Sequence, residues 1–197
     1  MRLARMGGSG LRCSWQIRAM FDIQLFALRF RLGLLDTESL VRAADTLLEE
    51  GHSEPAVIQL SILESPIMAE AAPLFEQVCA QLGVFVPTED QAINALLRFY
   101  VESIASSAIA PIEGLSAIMQ EIYFPHFAHE PCKEYVGDSR GMEHLIGAYW
   151  SYDDLIDSSR GCSWDGKFGA EAIASWEQSV QQYARDWLEK NNRFPMA

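Results

Sequence analysis

The chain has no run of 18 or more apolar residues, so no membrane-spanning helix is expected. Basic residues are scarce: 15 Lys and Arg stand against 27 Asp and Glu, a formal net charge of −12. That shortage argues against a generic nucleic-acid binder, which needs a cationic surface to meet phosphates. Cysteine is also sparse. Cys13, Cys79, Cys132 and Cys162 form no C-x-x-C pair, which excludes a disulfide scaffold and the usual zinc-finger spacings. Unpaired thiols in a reducing, cytoplasmic setting are the expectation. The glycine-rich loops of common nucleotide sites are missing, as is the G-x-S-x-G elbow of serine hydrolases. No cofactor is expected.

Apolar residues make up 49% of the 197 residues and charged ones 21%, enough for a sizeable core in one domain. The charge is uneven. Residues 1–31 hold six Arg and one acid, Asp22, whereas the remainder holds nine basic and 26 acidic residues, a net of −17. Residues 1–19 carry Arg and Gly, no acid and no apolar secretory core. They read as an unstructured basic tail or as an upstream start with the true one at Met20. Residues 20–197 then form a single domain.

That domain reads as all-α, an irregular bundle or short superhelix of seven to eight helices. Asp36 or Thr37 caps a helix ending at Gly51, and Pro55 opens the next, whose apolar residues are Val57, Ile58, Ile62 and Leu63. Pro73 is expected to begin a third helix ending at Gly83. Thr88 and Gln91 form a capping box before Ile93, Leu96, Leu97, Tyr100, Val101 and Ile104. A helix after Pro111 is expected to stop at Pro125, leaving 125–139 irregular. Two long helices follow, separated by a polar loop over 158–166. Leu28–Leu32 alternates like a strand but has no partner strand, and is assigned to a helix.

Four groups of residues invite a chemical reading. Asp153, Asp154 and Asp157 resemble the aspartate-rich motif of isoprenyl diphosphate synthases, whose carboxylates hold Mg²⁺. Asp153 also falls near the middle of the apolar face set by Met142 and Tyr149, so a buried structural carboxylate is the favoured reading. His126 and His129, three apart with Cys132 nearby, have the donor types of a zinc site. The aromatics Trp150 and Tyr152 fall off the main stripe and Trp164 lies in a loop, which suits a contact surface. Finally Glu49, Glu50 and Glu54 belong to an acid-rich series over the first helices, suited to a partner of opposite charge.

The stretch Leu32-Gly33-Leu34-Leu35-Asp36-Thr37-Glu38-Ser39-Leu40 through Leu63 resembles a helical pair in small bacterial proteins of the toxin-immunity type. The resemblance implies an immunity-type inhibitor that neutralises a basic toxin by occupying its active site or substrate cleft. The expected function is therefore a non-enzymatic, acidic binding protein with a basic protein partner, engaging neither nucleic acid nor membrane. The alternatives are a Mg- or Zn-dependent helical enzyme built on the aspartate cluster, with His126 and His129 as a variant site, and a helical scaffold or regulator.

Overall fold

The structure is a computed structural model that describes residues 22–131, 134–157 and 161–191; the basic tail, Cys13 and Cys132 lie outside them. Among the described residues eight α-helices run in order: α1 (Ile23–Arg31), α2 (Thr37–Glu49), α3 (Pro55–Ser61), α4 (Met68–Gln81), α5 (Glu89–Ala105), α6 (Pro111–Ala117), α7 (Glu143–Ile156) and α8 (Gly169–Lys190). A π-helical segment, Ile118–Phe127, continues α6, and a 3-10 turn spans Asp138–Arg140. Among the described residues no strand forms; a lone antiparallel bridge joins Trp164 to Lys167 across Asp165-Gly166.

The helix starts follow from local chemistry. Asp22 Oδ1 accepts from the amides of Gln24 and Leu25, which makes the Leu28–Leu32 stretch helical. Asp36 caps α2 by accepting from Ser39 N at 2.7 Å, and the Ser39 contacts hold its carboxyl below the ordinary range. Thr88 and Gln91 close the capping box of α5.

Two buried clusters share α1. Ala27 packs with Leu40, Leu47, Val57, Leu60, Phe75 and Val78 of α2, α3 and α4. Leu28 and Leu32 pack instead with α5, α6, α7 and α8 around Tyr100, Leu115, Leu145 and Trp176. On the first side Phe26 and Phe30 tilt against Phe75, with ring centroids 5.7 and 4.8 Å apart. α1 therefore belongs to both cores and ties them together.

Both internal prolines depart from expectation. Pro73 does not open α4; it sits inside it, five residues past Met68. The fully buried Ala71 and Phe75 on either side anchor the helix, and Pro73 itself is exposed. Apolar anchorage of this size offsets the cost of a proline, about 3 kcal/mol. Pro125 likewise does not stop its helix. The chain widens to i→i+5 pairing there, with Ala128 N donating to Tyr123 O at 2.8 Å. The wider turn relieves the ring's clash with the preceding carbonyl. Ile118, Met119, Ile122, Tyr123 and Phe127 are buried along this segment, so packing holds the unusual geometry.

Candidate partner-binding surface

The chemically suggestive side chains are scattered. Asp153 is exposed, contrary to its expected burial, and Ile156 on the same side is exposed as well. The reason is that the buried face of α7 drifts along the helix. It runs through Met142, Leu145 and Ile146 at the start, but through Ala148 and Leu155 at the end. At about 100° per residue, Ala148 and Leu155 lie well round from Met142, so Asp153 falls outside the packed sector. The indole N–H of Trp176 donates to Ala148 O at 3.0 Å and fixes this crossing of α7 and α8.

Two of the three candidate contact aromatics belong to the packing. Tyr152 lies against Trp176 with centroids 4.7 Å apart, and Trp164 donates from Nε1 to Ser179 Oγ at 3.0 Å while packing on the larger core. Trp150 alone of the three is exposed, at 53%, with Phe124 edge-on at 6.1 Å.

The metal readings find no cluster. Among the described residues no three of His, Cys, Asp and Glu gather in a way that would hold an ion. His126 instead stands 3.3 Å from Glu89 through Nδ1, and His129 is exposed. Arg140 joins Glu130 at 2.7 Å and Asn94 at 3.1 Å, with its guanidinium over Phe127. These contacts tie the π-helical segment to the start of α5 and the 3-10 turn.

The acidic series has a different character. No Lys or Arg occurs between Arg42 and Arg98, an interval holding nine carboxylates: Asp45, Glu49, Glu50, Glu54, Glu64, Glu70, Glu76, Glu89 and Asp90. Glu49, Glu50, Glu64 and Glu70 are exposed. Glu54 is half-buried at the start of α3, with His52 Nδ1 3.6 Å from Oε1. Within this interval lies a set of exposed apolar side chains: Ile58 at 43%, Ile62 at 69%, Ile67 at 56% and Met68 at 41%.

Ile58 and Ile62, two of the apolar residues assigned to this helix from the sequence, are exposed. α3 in fact buries Ala56, Val57 and Leu60 against α2 and α4. At about 100° per residue the direction of Ile58 and Ile62 is nearly opposite to that buried side. α3 is thus apolar on both faces. Sequence reasoning missed the outer face because each isoleucine fits a helical period by itself. The signal was available in the pairing of Val57/Leu60 with Ile58/Ile62 on a seven-residue helix, too many apolar positions for one packed side.

No protein-family model, no curated protein and no solved structure matches the chain.

Proposed function

We propose that this chain is a non-enzymatic binding protein for a protein partner with a basic surface. Its specific form is an immunity-type inhibitor that neutralises a toxin by direct occupation. One observation carries this reading: the interval between Arg42 and Arg98 holds nine carboxylates and no Lys or Arg, with several of its acids exposed, while Arg29, Arg42, Arg98 and Arg140 each already stand against a carboxylate. Arg29 stands 3.3 Å from Glu121, Arg42 3.9 Å from Glu38, Arg98 2.7 Å from Glu102 and Arg140 2.7 Å from Glu130. Glu49, Glu64, Glu70 and Glu76 remain exposed in an interval without a Lys or Arg. A surface of this sign accelerates encounter with a cationic protein and repels acidic competitors.

The test is to crosslink the chain in its source cells, identify the adduct and reconstitute the complex from purified components. The expected partner has a basic contact surface, and a neighbouring toxin loses activity when bound. Recovery of an acidic partner, or turnover of a diphosphate substrate with Mg²⁺, contradicts the proposal.

A further inference from the structure

We infer that the outer face of α3, with the link into α4, is the docking site of a basic amphipathic helix from the partner protein. This rests on the binding reading above and adds the surface and the shape of what it takes.

The apolar contact is built from Ile58 on α3 and Ile62 at its C-terminal cap, four residues apart, and from Ile67 and Met68 at the entry to α4. Exposed large aliphatics grouped this closely in sequence mark an interaction site more than a solvated surface. The link between them is short, and Ser65 takes a positive φ of 50° to turn the chain there. Along the chain exposed acids accompany the group, with Glu49 before it, Glu64 within it and Glu70 after it. An apolar centre with a charged rim is the usual anatomy of a protein contact.

The occupant follows from charge and from the fold. No Lys or Arg lies between Arg42 and Arg98 in the sequence, and the exposed charges adjoining these residues in the chain are the carboxylates Glu64 and Glu70, which favour a basic occupant over a second copy of the same face. Among the described residues there is no sheet edge for an extended peptide to extend. Side chains at i and i+4 form a ridge that fits the groove of another helix, and helix-against-helix recognition reads such anchors directly. The matching element carries apolar residues at i, i+3 or i+4 and i+7, flanked by Lys or Arg. Two to three turns suffice, because the seven residues of α3 extend about 10 Å.

The experiment uses the full chain and two synthetic probes of identical composition. One is an 18-residue Leu/Lys peptide patterned as an amphipathic helix; the other is its scramble with no helical period. Binding is read by calorimetry and by the light-scattering mass of the complex. The patterned peptide is expected to bind at least 10-fold tighter than the scramble, as a one-to-one complex. Ile62→Ser and Met68→Ser, both on the surface, are expected to weaken it at least 10-fold, while Trp150→Ala leaves it unchanged. Equal affinity for both peptides overturns the helix assignment, and loss at Trp150→Ala but not Ile62→Ser overturns the site. Self-association of the chain that Ile62→Ser abolishes assigns the face to a second copy and overturns the basic-partner occupant. If a crosslinked basic partner still binds the Ile62→Ser chain at full strength, the binding reading survives and this surface does not.

Discussion

The hydroxyl of Tyr100 donates to Glu121 Oε2 across 2.5 Å, joining α5 to the π-helical segment. The Tyr100 hydroxyl oxygen in turn accepts from Arg29 Nη2, also at 2.5 Å, so α1 is fastened at the point where the two cores meet. Burial raises the Tyr100 phenol above its ordinary value; Arg29 opposes this and Glu121, as acceptor, adds to it. Burial by itself would lower the Arg29 guanidinium, yet Tyr100 and Glu121 together hold it above its usual value. Tyr100→Phe leaves Arg29 and Glu121 facing a missing hydroxyl. Denaturant unfolding is expected to show a loss of about 1–3 kcal/mol, the usual cost of leaving buried polar groups short of a partner. A change below about 0.3 kcal/mol would show that the network contributes nothing net.

The same phenol sets an alkaline limit. Its folded pKa lies above its unfolded one, so its stabilisation is complete below the ordinary phenol value of about 10. That stabilisation declines as pH rises from there toward the folded value. Stability measured upward from pH 9 is expected to fall more steeply in the native chain than in Tyr100→Phe. Parallel curves for the two proteins contradict this.

Gly114 of α6 packs directly against Ile104 and Ile109. A Cβ built there would stand 2.5 Å from Ile104 Cγ1 and 2.7 Å from Ile109 Cδ1. Gly114→Ala, which ordinarily strengthens a helix, is expected to destabilise this one by about 1–3 kcal/mol through overpacking. A raised melting temperature would show that the two isoleucines move aside freely.

The phase of α7 is checked by a pair of substitutions. Leu155 is 8% exposed whereas Asp153 faces solvent. Leu155→Ala is expected to cost about 2–4 kcal/mol and Asp153→Ala less than about 0.5 kcal/mol. The reverse order would restore the straight apolar stripe drawn through Met142, Tyr149 and Asp153.

Cys79 is fully buried in α4, and burial, with a smaller contribution from Glu76, pushes its thiol up to about 11. Iodoacetamide at pH 8 is expected to leave Cys79 unmodified in the folded chain and to label it in denaturant, as read by peptide mass mapping. Rapid labelling of the folded chain would mean that α4 opens locally.

Much of the architecture is legible in the sequence where a residue acts locally. Thr88 and Gln91 announce α5, Asp36 announces α2, and Pro55 sits at the first position of its helix. The misreadings share one physical cause: packing between elements overrides a local rule. Phe75 and Ala71 hold a helix through Pro73, and Phe127 with Tyr123 holds one through Pro125. The rotation of the buried side of α7 depends on where α8 crosses it, through Trp176 and Ala148, which no single-helix period contains. The surface was the least legible part. Ile58 and Ile62 read as ordinary members of a helical apolar set, yet both are exposed, while Tyr152 and Trp164, read as contact residues, are partly buried against α8.

The central claim, that outward carboxylates recruit a cationic partner, is tested most directly by stopped-flow association with the purified partner across a salt series. The native chain is compared with a Glu49→Gln/Glu64→Gln/Glu70→Gln variant, since all three acids are exposed and their loss should spare the fold. The predicted result is an association rate that falls about 10-fold or more between about 10 and 150 mM salt for the native chain. The variant should associate slowly at low salt and respond weakly to salt, with dissociation little changed. An association rate indifferent to both salt and the three substitutions would contradict the account.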